Sequence, residues 1–441
     1  MESLHGFDFL RLHFDADGVL QDAPALQELK SSGATDIIFI SHGFRNDEND
    51  ATGLYDRFLT TFREQLNSAA FPGVTSRKLV VAGIYWPSKP FQETFAGGSV
   101  QALDSETAQK EAVKAKLENL KATVARADQK PKLDKAIALL DQVSGSKTAQ
   151  DQFVSLALSL WDNSDPDPTE GGDRIRATEG SVLLDKLKVP IIVPTGQSHG
   201  EGGTMSVGGA TTGAGDTGTT EGLGSMFGSL FGRIGQFLNL TTWYVMKNRA
   251  GVVGAAGVAQ AVRDLKIASP AVKIHLVGHS LGGRLMAGCA KSLAQTNSHV
   301  ESLSLLEAAF SHYGFSSNNG KGQAGFFRDV IDKKVVTGPL IATYSAQDKV
   351  VGTVYAVTSR LASDSVQEVG DANDPYGGIG RNGAQKTAES VSGALHAVGT
   401  PYQFQIPKIN CLDGSGGLIK DHGDVANSFV TYAFASAVSK T

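Results

Sequence analysis

The sequence is poor in cysteine, with only Cys289 and Cys411 in 441 residues, so there is no framework from which a disulfide-stapled scaffold could be built. The N-terminus, Met1-Glu2-Ser3-Leu4-His5, has neither a basic region nor an apolar stretch of secretory type, so a cytoplasmic chain is the default expectation, with export by a signal-independent route left open. No excess of positive charge is present: the net charge is −5, and nothing in it steers the chain towards nucleic acid. His, Glu and Cys nowhere fall at metal-ligand spacing, and no glycine-rich turn ends in the Gly-Lys-Ser/Thr of a phosphate-binding loop, so neither a metal nor a cofactor is expected. The run Thr241 to Leu265 is apolar but holds Lys247, Arg249 and Arg263, which argues against a membrane span.

What the chain has is a strand–turn–helix pattern around a serine. Lys273-Ile274-His275-Leu276-Val277 reads as a strand, Gly278-His279-Ser280-Leu281-Gly282 follows, and a helical pattern runs from Arg284 to Ala294. In that context Gly-x-Ser-x-Gly forms a nucleophile elbow, a sharp turn that holds a serine hydroxyl clear of the backbone, and Gly283 extends the clearance. Outside it, the five-residue match is weak in a chain with 51 glycines.

A serine hydroxyl needs a base and an acid, and in this arrangement they follow in the order serine, acid, histidine. Downstream lie His299, His312, His396 and His422. His422, in the polar loop Lys420-Asp421-His422-Gly423-Asp424 before a helical run Val425 to Ala437, is the candidate base. His396, ahead of the strand-like Tyr402 to Ile406, is its rival. Asp348, just past the strand-like Pro339 to Ser345, is the candidate acid, with Asp332 and Asp364 as fallbacks.

Oxyanion stabilisation calls for backbone N–H groups. Leu281, directly after Ser280, supplies one. The strand Thr35 to Ile40 runs into Ser41-His42-Gly43-Phe44, where Gly43 lets the backbone turn inward, so Phe44 or Gly43 supplies the second. His42, Trp86 and His279 are candidate substrate-binding positions, His42 being also readable as a structural hydrogen-bonding residue rather than a second base. A second Ser-His-Gly, at Ser198-His199-Gly200, has no strand leading directly into it.

On these residues, Ile37 to Asn46, Ile274 to Gly283, Leu340 to Asp348 and Asp421 to Asp424, the chain resembles the lipase and esterase branch of the α/β-hydrolase superfamily. The resemblance implies a mostly parallel sheet with helices on both faces and serine-hydrolase chemistry through an acyl-enzyme; it implies no particular substrate. The expected ligand is a small-molecule or lipid ester with an apolar acyl group. Thioesterase, amidase or acyltransferase chemistry would use the same residues, and a non-catalytic hydrolase-fold protein that binds a partner is the rival class. Oligomeric state is left open.

Strands alternating with helices elsewhere agree with a parallel sheet. Phe7 to Phe14 with Val19-Leu20 suggests an edge hairpin through Asp15-Ala16-Asp17-Gly18, Pro24 to Lys30 a helix, and Leu79 to Trp86 and Ser302 to Leu306 further strands. Residues 1–90 and 265–441 then form the core. Between them, 91–194 carries helical spacing at Val113, Leu117, Leu120 and Val124, again around Ile137 and Leu140, and at Phe153 to Trp161: an inserted cap, or a separate helical domain. Residues 195–264 open with a stretch holding fourteen of the glycines between Thr195 and Gly235, too many to pack a regular core. With Met226, Phe227, Leu230 and Phe231 it suggests a mobile lid, an irregular loop with buried aromatics, or a transient contact with a membrane or micelle surface.

Overall fold

A computed structural model describes residues 1–68, 71–89, 105–123, 126–161, 167–188, 229–363 and 371–441. Among them nine strands form one sheet: β1 (Glu2–Leu4), β2 (Phe7–His13), β3 (Asp36–Ser41), β4 (Leu79–Tyr85), β5 (Lys273–His279), β6 (Ser302–Leu306), β7 (Leu340–Tyr344), β8 (Ser390–Ala394) and β9 (Ile409–Asp413). Their order is β1-β2-β4-β3-β5-β6-β7-β9-β8, and every pairing is parallel except β1 with β2. The chain is thus an α/β protein built on a mostly parallel sheet.

The strand side chains divide by parity, as a period of two requires. Leu10, Leu12, Ile37, Phe39, Ala82, Ile84, Ile274 and Leu276 belong to one apolar cluster, while Phe7, Phe9, Ile38, Ile40, Val81 and Val277 belong to another. The central strands are apolar on both sides because helices cover both faces. Helices Glu48–Asn67 and Ser428–Ser439 close the second face, where Phe434 packs 4.9 Å from Phe62.

The first face carries the insertion. Helices Glu106–Thr123, Lys130–Leu139, Lys147–Leu158 and Gly180–Lys186 bury Val113, Leu117, Leu120, Leu133, Phe153 and Leu183 in the same cluster as the sheet, so the described insertion residues have no separate core. Buried charges tie it down further. Glu170 receives Lys247 at 2.6 Å, the hydroxyl of Tyr355 and the N–H of Ser311, and Asp167 lies 3.4 Å from Arg284 on the helix Leu281–Ala294.

Three local expectations change. The antiparallel edge is made by β1 with β2 through His5 and Gly6, both at positive φ, as a tight two-residue hairpin requires; Phe14 and Leu20 form only an isolated bridge. Tyr402 to Ile406 is not a strand. Pro401 and Pro407 bracket it, and the Asn410 side chain takes both the N–H and the carbonyl of Gln405; the strands there are Ser390–Ala394 and Ile409–Asp413. The lid expected over Thr195 to Gly235, like Ser198-His199-Gly200 and Phe227, lies outside the described residues as far as 228. From Ser229 on, the same stretch is the capped start of the helix Leu230–Val252, and Phe231 is buried because its apolar neighbours recur at helical spacing. No helix among the described residues is long and apolar enough to cross a membrane.

Candidate active site

Parallel strands bring their C-terminal ends to one edge of the sheet, and the candidate residues gather there. β5 ends at His279, and Ser280 follows with φ 57° and ψ −124°, a positive φ that a residue with a side chain adopts only when its surroundings enforce it. The enforcement is visible: the Ser280 N–H donates to Leu306 O at 3.0 Å, and the Ser280 carbonyl accepts from Ala309 N at 2.9 Å. A Cβ on Gly282 would lie 2.4 Å from the carbonyl oxygens of Ser41 and His42, so the turn closes only without a side chain there.

Ser280 Oγ lies 2.8 Å from His422 Nε2, and His422 Nδ1 lies 2.8 Å from Asp348 Oδ2. Asp348 caps the helix Lys349–Ala362, its Oδ1 accepting the N–H of Val351 at 2.9 Å, which fixes the rotamer that aims Oδ2 at the histidine. The Asp348 side chain is fully buried, and His422 retains 13% exposure. In this chain of hydrogen bonds Nδ1–H donates to the carboxylate, leaving Nε2 as an acceptor for the serine proton, an arrangement able to generate a nucleophilic serine.

The loop after β3 sits directly opposite. A Cβ on Gly43 would lie 2.7 Å from Ser280 Cβ, so glycine is what lets this backbone reach the hydroxyl. The amides of Gly43, Phe44 and Leu281 donate to no acceptor among the described residues, and Leu281 is the first residue of its helix, where amides point out of the N-terminus. Asn46 holds the loop from below, donating to the carbonyls of Gly43 and Phe44 at 3.1 Å.

His42 stacks on Trp86 with ring centroids 5.5 Å apart, and its Nδ1–H donates to Gly43 O at 2.9 Å. The Trp86 indole N–H donates to His42 O. Burial lowers His42 to about 4, so it is neutral at neutral pH. His279 Nε2–H donates to the backbone carbonyl of His422 at 2.7 Å, and burial lowers this ring too, to about 3. All three groups that the sequence marks for substrate therefore have polar atoms engaged by backbone of the two site loops.

The rival residues lie elsewhere. His396 follows the edge strand β8 and stacks on Tyr402 at 4.2 Å. Asp332 pairs with Arg328, and Asp364 lies outside the described residues. Sequence reasoning missed Glu307, directly after β6, whose fully buried carboxyl comes within 3.7 Å of His422 Nδ1. Its signal was available: an acid at the C-terminal end of the strand beside the elbow strand, the rule that singled out Asp348. No protein-family model, curated protein or solved structure matches this chain.

Proposed function

We propose that the protein is a serine hydrolase of the α/β-hydrolase superfamily, cleaving carboxylic esters with apolar or lipid-like acyl groups. The observation that carries the reading is the unbroken chain Ser280 Oγ, His422 Nε2, His422 Nδ1 and Asp348 Oδ2, with 2.8 Å at each contact, starting from a serine held at positive φ. Strand order supports it as well, with Ser280 after a central strand and Asp348 and His422 on later loops.

In the reaction Ser280 Oγ attacks the ester carbonyl as His422 Nε2 takes its proton, Asp348 stabilises the imidazolium, and the amides of Leu281 and Phe44 receive the developing oxyanion. Protonated His422 then gives its proton to the departing alkoxide. A water molecule, deprotonated by the same histidine, releases the acid. The half-buried ring of Phe44, packed against the apolar cluster beside the oxyanion loop, favours an apolar acyl group. The test is hydrolysis of p-nitrophenyl esters of increasing chain length by the parent and by Ser280→Ala: the parent turns over, with higher kcat/KM on longer chains, and the variant does not. An active Ser280→Ala protein rules the reading out.

A further inference from the structure

Glu307 has no part in that mechanism, yet its position is tightly enforced. Its backbone sits at φ 43°, its N–H donates to Thr343 O and Oγ1, both at 3.2 Å, and Gly380 packs so closely that a Cβ there would lie 2.4 Å from the Glu307 carbonyl carbon. Neither carboxyl oxygen receives a hydrogen bond among the described residues, although the side chain is fully buried. The atoms that Glu307, Asp348 and His422 turn on one another all lie within 4.8 Å.

The charges around it leave one resolution. Asp348, Asp421 and Asp424 surround the group with negative charge, and His422 Nδ1 lies 3.7 Å from it. Arg381 approaches Asp348 but gives its guanidinium to the carbonyls of Ala346 and Asp348. Burial first, and then the Asp348 carboxylate, push Glu307 well above the ordinary range. Two buried carboxyls in contact hold one proton between them.

Resting on the hydrolase reading above, we propose that Glu307 is a positioning residue for Ser280, His422 and Asp348: as a neutral acid it donates its O–H to Asp348, and it is the reserve acid when Asp348 is lost. Asp348 then accepts from Val351 N, His422 Nδ1 and Glu307 at once, which fixes its plane. The carboxyl pair carries one negative charge before attack and the same charge afterwards, since only the serine proton moves, to His422 Nε2. When residue 348 is asparagine the like charge is gone, Glu307 ionises, and its oxygen needs only a small shift from 3.7 Å to accept Nδ1–H.

The test compares kcat across pH for the parent, Glu307→Ala, Glu307→Gln, Asp348→Asn and Asp348→Asn with Glu307→Gln, using a soluble short-chain ester. Glu307→Ala lowers kcat about tenfold or more at unchanged KM, and Glu307→Gln, which keeps a donor, restores most of it. Asp348→Asn retains activity that rises with pH; adding Glu307→Gln removes it, lowering kcat by roughly a further hundredfold towards the ~10⁴ loss of a triad without an acid. Equal activity of the single and double Asp348 variants overturns the proposal, as does a parent-like Glu307→Ala. Should the variants fail to fold, carbon-13 NMR of the glutamate-labelled parent decides: one glutamate carboxyl stays protonated at neutral pH, and full ionisation of all overturns the proposal. The spectrum also separates the two claims, because it needs no turnover: an inactive parent, or an active Ser280→Ala, counts against the hydrolase reading while the carboxyl signal still tests Glu307. The same three side chains could hold a cation; activity lost to EDTA and restored by zinc overturns the neutral-acid assignment.

Discussion

The sheet carries a Ser–His–Asp chain at each of its two edges. At the C-terminal edge stand Ser280, His422 and Asp348; at the opposite edge His275 Nδ1 meets Ser302 Oγ at 2.8 Å while its Nε2 meets Asp36 Oδ1 at 3.0 Å. The distances and residue types are nearly the same, and the surroundings are not. Ser302, His275 and Asp36 lie within strands at no exposure, and Asp36 is further held by Arg77, whose guanidinium also binds the carbonyls of Val438 and Thr441. Ser280 stands instead on a strained turn, against a loop whose Gly43 and Phe44 amides meet no acceptor among the described residues, beside a histidine that retains access to solvent. Three residue types in hydrogen-bonding order do not by themselves make a catalyst; under the proposed function the difference in surroundings assigns that role to Ser280.

The sharpest break of this symmetry comes from the serines. Ser280→Ala should lower kcat by roughly 10⁴ to 10⁶ with little change in the denaturation midpoint, whereas Ser302→Ala should leave kcat alone and lower stability by about 1 kcal/mol. Paired ester assays and urea titrations decide. The histidines repeat the contrast: His422→Ala should match Ser280→Ala in lost turnover, while His275→Leu should keep the parent kcat per folded molecule and lose about 2–4 kcal/mol of stability by leaving Asp36 short of a partner. His396→Ala should affect neither by much, and a severe loss of turnover there with an active His422 variant would reassign the base.

A smaller effect probes what only the upper end has. Gly43→Ala places a methyl group 2.7 Å from Ser280 Cβ, and displacing the loop should lower kcat about a hundredfold without loss of fold. Near-parental kcat would mean the loop is not in contact with the reacting centre.

The weakest effects are in pH. Burial lowers His42 to about 4 and His279 and His312 to about 3, so below the ordinary imidazole value near 6.5 the unfolded chain binds protons that the fold does not. Stability contributed by these rings is present above pH 6.5 and is lost as pH falls from there, down to about 4 for His42 and about 3 for His279 and His312. Glu307 has the opposite sign. Its proton is retained in the fold and released on unfolding, so its contribution is full below the unfolded value near 4.5 and declines as pH rises. Glu307→Gln should therefore gain stability on the parent with increasing pH, by up to about 1.4 kcal/mol per unit, measured as denaturation midpoints from pH 5 to 8.

The site was largely legible in the chain because its parts follow the strand punctuation. Ser280, Asp348 and His422 each stand just past a strand or in the last loop before the C-terminal helix, and order alone selected them. Glu307 was passed over although the strand Ser302 to Leu306 was read with its correct end, because the following Glu307-Ala308-Ala309 shows no turn residue to suggest that the backbone there turns at a positive φ and carries the side chain to the site. The lower chain was passed over since Asp36 and His275 each stand in an apolar strand pattern that reads as core, although an unneutralised acid inside a buried strand should have called for a partner. Tyr402 to Ile406 misled by alternation alone. Its Tyr402 and Phe404 rings face the second apolar cluster, as a strand's would, while its backbone hydrogen bonds go to the Asn410 side chain, which periodicity cannot reveal.

The central claim, that one of two similar Ser–His–Asp chains is chemically competent, is tested most directly by labelling the native protein with a fluorophosphonate and locating the adduct by mass spectrometry. A single adduct on Ser280, absent in Ser280→Ala and in heat-denatured protein, with Ser302 unmodified, is the predicted result. No adduct on native protein, or an adduct on any other serine that persists in Ser280→Ala, would contradict it.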